Sequence, residues 1–394
     1  MSARRSSVLR WVARLLGVAL VVYVVATQLR WTDEVALTDG TKATGAVTAL
    51  ADGWRVVSAD GTSRDLPAAA VAHETFGPRR IPSIAFGLPT LMGRLSGSVP
   101  TVALVLVALL GLAVLTAWRW RWLVEALGLA LTVAEALRYT FYGIFFNLFV
   151  PGATGGDVVK AWYAARRTGR TTKAVVSVLV DRLVGLFALV LFAAAVLFLG
   201  PTREGFGVPR IFVGSVLGAA ALGGVVVLSR RVRRTLGLSA LLRRLPFQRV
   251  WAEVDAAVRL YRGHPGSLAL GLLVSLFNHA GTCVCAYLLA RALGLEEVRL
   301  VDVMALLPVV SLLSAVPLLP GGWGVGELAF AYFFAPVGVA PSEAVAWSVV
   351  FRLAVLASGL PGAVLWLLAR EHPRRDAMAA EMDRAAHAVA EAGP

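Results

Sequence analysis

Two stretches decide how this chain is read: Pro151-Gly152-Ala153-Thr154-Gly155-Gly156-Asp157 and Pro320-Gly321-Gly322-Trp323-Gly324-Val325-Gly326-Glu327. Each interrupts an apolar run. The first run extends from Thr140 to about Ala165, and the second, which also carries Pro317, from Val303 to about Ala340. Proline removes a helical N–H and glycine weakens a helix interior, so each stretch breaks a helix among residues that belong in a bilayer. Broken backbone at that depth is tolerated only where protein or water covers it. Both stretches therefore mark places where a membrane protein works rather than merely spans.

The surrounding composition agrees. Of 394 residues, 58% are apolar and 16% charged, whereas soluble domains carry about 25% charged residues. Mean hydropathy is +0.74. The net charge of +14 lies in arginine-rich stretches beside apolar runs. That pattern reads as membrane orientation and attraction to anionic head groups. No nucleic-acid motif occurs, and no nucleic-acid partner is expected. Cys283 and Cys285 read as small core residues. No nucleotide loop, nucleophile elbow or His/Glu zinc motif is present, so no cofactor, metal or catalytic residue is expected and the chain reads as a non-enzyme.

Apolar length predicts an all-α polytopic membrane protein with six full spans: Trp11 to Leu29, Pro100 to Trp118, Ala174 to Leu199, Ile211 to Leu228, Ser267 to Leu289 and Ala344 to Leu368. Residues 1–30 read as an uncleaved anchor, 96–370 as the membrane domain and 371–394 as a polar cytoplasmic tail. Residues 31–95 differ in kind. Asp-Gly turns at Asp39-Gly40, Asp52-Gly53 and Asp60-Gly61 separate short Val-containing runs, which predicts a small extracytoplasmic β insert. Residues 230–264 hold nine arginines against Glu253 and Asp255 and read as a cytoplasmic amphipathic surface segment.

Flanking charge orients the broken segments. The Trp118-Arg119-Trp120-Arg121-Trp122 cluster reads as a cytoplasmic boundary, and the basic run Arg166 to Lys173 follows the first break. That segment therefore enters and returns from the inside as a re-entrant hairpin. The second broken segment follows a loop that is not basic, with Glu296, Glu297, Arg299 and Asp302, and precedes a span that is followed by Arg370. It is a hairpin entering from the outside. A shift of 170 residues lays Gly156-Asp157 on Gly326-Glu327 and Arg182 on Arg352, with 25 residues between carboxylate and arginine in both copies. Two oppositely oriented hairpins in an inverted repeat are the pattern of many transporters. Both termini are expected in the cytoplasm, in the cell (inner) membrane.

The candidate chemistry sits at the breaks. Asp157 and Glu327 fall in the first turn after each one, where a carboxylate caps free N–H groups and meets the helix dipole. The same free donors attract an external anion. Arg182 and Arg352 lie deep in their spans, where a charge costs at least ~2.5–3.5 kcal/mol without a partner or wet cavity. They read either as structural partners, Arg182 with Asp157 or Asp181 and Arg352 with Glu327, or as holders of a lipid phosphate, which a planar guanidinium binds bidentately. Asn147 adds an amide before the first break. Lys160, one turn after Asp157, either adds positive charge or snorkels to the interface. Asn278 and His279 lie mid-span and face the bundle interior, most simply as helix–helix hydrogen bonds.

Asn147 with Pro151, Gly155-Gly156-Asp157, Asp181-Arg182 with Gly185, and Pro320-Gly321-Gly322 with Gly324 and Glu327 together resemble the lysylphosphatidylglycerol synthase transmembrane region, also called the flippase-like domain family. The resemblance covers roughly residues 100–370. It implies that these residues, with Lys160, Asn278 and Arg352, handle a lipid. Lys160 stands where the family often has arginine, and Gly326 stands where it commonly has arginine before the glutamate, a departure that bears on head-group choice. The family's aminoacyl-transferase domain is not expected here, because the chain ends about 25 residues after the last span. The leading expectation is a flippase or translocase for an anionic phospholipid or a polyprenyl-phosphate-linked lipid. The alternatives are a membrane-embedded glycosyl- or phosphotransferase and a cell-envelope scaffold. A homo-oligomer is compatible with all three.

Overall fold

The computed structural model describes residues 31–76, 79–149, 155–200, 205–228, 257, 260–314 and 324–369. The expected anchor at Trp11 to Leu29, the polar tail, nearly all of the arginine-rich segment, and Pro151, Pro317, Pro320, Gly321 and Gly322 lie outside the described residues.

Among the described residues, five helices are long and apolar enough to cross a bilayer. They are α2 (Val99–Ala126), α5 (Thr171–Leu199), α6 (Gly207–Leu228), α7 (Pro265–Ala292) and α10 (Pro341–Leu367). At about 1.5 Å per residue, 27 residues give about 40 Å, more than the ~30 Å hydrocarbon core. These match, in order, the last five of the six expected spans, and the first lies outside the described residues. The chain is an all-α polytopic membrane protein with a small β region near its N-terminus.

Each broken segment is a pair of shorter helices packed on one another: α3 (Val133–Phe149) with α4 (Gly155–Thr168), and α8 (Leu300–Ser314) with α9 (Val325–Phe334). α3 begins seven residues before the expected Thr140. The reason is a capping box that the hydropathy pattern hid: Thr132 Oγ1 accepts from the Glu135 N–H, and Glu135 Oε2 accepts from the Thr132 N–H. The 170-residue shift now has a structural counterpart. α4 and α9 begin at 155 and 325, and α5 and α10 at 171 and 341.

The Trp118 to Trp122 cluster does not end its span. α2 continues to Ala126, and Arg119 and Trp120 are buried. Ala113, Ala117, Trp120, Val124 and Leu127 are buried at helical spacing, so the apolar stripe runs straight through the basic residues.

The chain divides into two compact units. Unit 1 comprises residues 1–109, 196–210 and 282–357, and unit 2 comprises 110–195, 211–281 and 358–394. Among its described residues, unit 1 carries eight short strands in antiparallel pairs, ordered β2-β1-β8 and β3-β4-β5 plus a β6-β7 hairpin. These are β1 (Glu34–Ala36), β2 (Lys42–Thr44), β3 (Ala46–Leu50), β4 (Gly53–Val57), β5 (Ser63–Pro67), β6 (His73–Phe76), β7 (Arg79–Pro82) and β8 (Ile84–Ala85). Their small core is Val35, Leu37, Val47, Val56, Leu66, Val71 and Ile84. The expected aspartate turns are present at Asp39 and Asp60, whose carboxylates accept from the N–H and Oγ1 of Thr41 and Thr62.

Asp33 ties this insert to α1 (Leu88–Ser96). Its carboxylate is buried and accepts from the N–H groups of Val47 and Gly87 and from Thr90 Oγ1. Arg94 of α1 donates to the Leu293 carbonyl just past α7, at 2.8 Å.

Asp33→Ala strands two buried N–H donors at roughly 1–3 kcal/mol each, so proteolysis should cut residues 31–87 much faster than in the wild type while the membrane helices stay protected. The threonine hydrogen bonds hold the Asp39 and Asp60 carboxyls below their ordinary value. Their stabilisation is thus present above about pH 4 and is lost as pH falls through the lowered folded values. Amide exchange at Thr41 and Thr62, corrected for its intrinsic pH dependence, should rise on acidification and stay flat in Asp39→Asn and Asp60→Asn.

Candidate functional site

Each unit contains one carboxylate–arginine pair at the start of a helix that follows a break. In unit 2, Asp157 lies in the first turn of α4 and pairs with Arg182 Nη1 of α5. Both side chains remain partly open, at 27% and 29% exposure. Asn147, near the end of α3, accepts the Gly156 N–H at 2.9 Å. It thereby satisfies one of the free donors at the start of α4. Gly156 is required there, because a Cβ would lie 1.8 Å from the Gly143 carbonyl oxygen.

Asp181 faces elsewhere. Successive helical residues point about 100° apart, so Asp181 and Arg182 serve different partners. Asp181 Oδ1 accepts from Arg119 Nε at 2.9 Å and Oδ2 accepts from Lys160 Nζ at 3.0 Å. Arg119 also donates to Ser275 Oγ at 2.6 Å. Lys160 Nζ lies 4.1 Å above the Trp120 ring centroid, and the Trp120 indole N–H donates to Ser177 Oγ. The carboxylate thus ties α2, α4, α5 and α7 together within unit 2. All three charged side chains are sealed, at 6–9% exposure.

Lys160 therefore does not snorkel, and Arg119, expected at the interface, is a buried partner of Asp181. Asn278 donates to Thr116 Oγ1 on α2, and His279 Nε2 lies 3.0 Å from the Gly185 carbonyl oxygen. Both contacts are helix–helix bonds. The sequence signal for Arg119 was the apolar stripe continuing beyond it through Leu123 and Val124, both fully buried.

In unit 1, Glu327 lies in the first turn of α9 and is 2% exposed. Its Oε2 accepts from the Gly324 N–H, and Gly324 adopts φ +83°, a left-handed conformation open to glycine. Arg352 Nε of α10 lies 2.7 Å from Glu327 Oε1, a close ion pair whose N–H is not aligned as a hydrogen bond. A Cβ on Gly326 would fall 1.9 Å from Arg352 Nη2. The guanidinium occupies the room that any side chain at 326 would need. Phe330 and Phe334 of α9 pack edge-on against Trp347 of α10 and hold this pair in place. Trp347 donates to the Ala286 carbonyl of α7.

The structure thus pairs Asp157 with Arg182, Glu327 with Arg352, Asp181 with Lys160 and Arg119, and Asn147 with the backbone of Gly156. Gly155 opens α4. A partly open guanidinium beside a helix N-terminus can exchange its carboxylate for another oxyanion, since phosphate makes the same charge-assisted bonds. The sealed triad has no such access.

The charge count predicts how unit 2 responds to mutation. Arg119→Met leaves Asp181 paired with Lys160, whereas Asp181→Asn leaves two buried cations facing each other. The second change should cost roughly 3–5 kcal/mol, and the first markedly less, read as thermal unfolding of the detergent-purified protein.

A family model described as Lysylphosphatidylglycerol synthase TM region matches residues 85–362. The match covers most of the chain, and the chain belongs to that family. No curated protein and no solved structure matches it.

Proposed function

We propose that this member of the Lysylphosphatidylglycerol synthase TM region family is an integral membrane lipid translocase for an anionic or phosphate-bearing head group. One observation carries the reading: the Asp157–Arg182 pair stays partly open at the start of α4, while the charges around Asp181 are sealed. A guanidinium kept reachable inside an apolar helix is costly unless a ligand uses it. Arginine suits a phosphate group because its planar fork binds two oxygens and never loses its charge. The lipid is an anionic phospholipid or a polyprenyl-phosphate-linked lipid. The enclosed Glu327–Arg352 pair of unit 1 repeats the arrangement with less access.

The flanking charges support a cell-membrane protein with cytoplasmic termini, the basic run Arg166 to Lys173 inside and residues 31–95 outside. With no nucleotide-binding loop in the sequence, the movement is facilitated or ion-coupled.

Reconstitution tests this. In liposomes holding the protein and a fluorescent phosphatidylglycerol, the inner-leaflet tracer should become accessible to an added impermeant quencher faster than in empty liposomes, and Arg182→Ala should slow the exchange about tenfold or more. Exchange in Arg182→Ala equal to the wild type sinks the mechanism.

A further inference from the structure

Asp181 answers two cations with one carboxylate. Arg119 Nε and Lys160 Nζ each take one of its oxygens, at 2.9 and 3.0 Å. Their remaining contacts are neutral: Ser275 Oγ and the Asp181 carbonyl for Arg119, and the Trp120 ring for Lys160. The three groups therefore sum to one positive charge. Their side chains are only 6–9% exposed, so water screens that charge little. Asp157 and Arg182 pair with each other, and among the described residues this five-residue cluster carries one surplus positive charge. Asp157 and Lys160 stand three residues apart on one face of α4, and Arg182 follows Asp181 in the chain. The buried charge thus sits beside the open pair.

A protein does not gain stability from an unanswered cation in a low-dielectric interior, but an anion arriving at the open pair is attracted by it. We infer that Lys160 makes the unit 2 site selective for head groups of net negative charge over zwitterionic ones carrying the same phosphate. The inference rests on the translocase reading for where the head group binds. Phosphatidylglycerol and phosphatidylcholine share the phosphate and differ in the head-group cation. That ammonium would stand against the surplus charge and cancel its attraction.

The test compares these two lipids as fluorescent tracers in otherwise identical phosphatidylcholine vesicles. The wild type should move phosphatidylglycerol about tenfold faster than phosphatidylcholine, a difference of about 1.4 kcal/mol. Lys160→Met, which keeps the length and leaves a balanced Asp181–Arg119 pair, should bring the ratio to about one. Lys160→Arg, which keeps the charge, should hold it. Equal rates in the wild type overturn the inference with no variant needed, and so does an unchanged ratio in Lys160→Met. If Lys160→Met does not fold, Lys160→Gln replaces it under the same criterion. If the wild type moves neither lipid, the translocase reading fails while the charge preference is still decided in detergent. Greater thermal stabilisation by phosphatidylglycerol than by phosphatidylcholine, lost in Lys160→Met or Lys160→Gln, upholds it, and equal stabilisation overturns it. Inorganic phosphate is the soluble source of the same group. If it stabilises as much as phosphatidylglycerol at matched concentration, the site takes a soluble anion and the head-group assignment is overturned.

Discussion

The Asp181 carboxylate is the constraint on which unit 2 turns. It accepts from α2 and α4 while projecting from α5, and through Arg119 it reaches Ser275 on α7. Removing charges from water is expensive, and the cost is recovered only where geometry and further hydrogen bonds are good. Here both carboxylate oxygens are used, the guanidinium has a hydroxyl, and the ammonium has an aromatic face. Asp181 and Arg182 both reach α4 from α5, Asp181 at Lys160 and Arg182 one turn earlier at Asp157.

The two copies of the repeat keep the helix starts and the acid–arginine spacing but solve the break differently. The first closes its helix start with the Asn147 side chain and a close approach of Gly156 to Gly143. The second closes it with the glutamate itself, bonded to the Gly324 N–H. At matched positions in the following spans, Lys173 donates to the Leu127 carbonyl and Glu343 accepts from the Ala340 N–H. The charge is inverted at an equivalent place.

Much of this was legible in the sequence, and the misses have physical causes. Apolar length found the five spans among the described residues, Pro/Gly density separated the paired helices on either side of it, and the 25-residue spacing linked Asp157 to Arg182 and Glu327 to Arg352. Hydropathy could not find the start of α3, because Glu135 and Arg138 dilute the apolar signal where the cap lies. Arg119 was hidden by its neighbours: Trp118, which is half exposed, and Arg121 suit an interface, while Arg119 and Trp120 turn inward. Lys160 was legible as a nearby charge but not as a partner of Asp181, since that contact joins side chains 21 residues apart on different helices.

The packing of Arg352 against Gly326 carries a consequence for how this protein can vary. One side chain fills the volume that another position lacks, so the two sites behave as a single steric unit rather than as independent positions. A larger residue at 326 is compatible with the fold only when 352 becomes smaller or its guanidinium turns away from Glu327. Acceptable sequences at this pair therefore form an interlocked set, and a substitution harmful in this background becomes neutral in one where its counterpart has already changed.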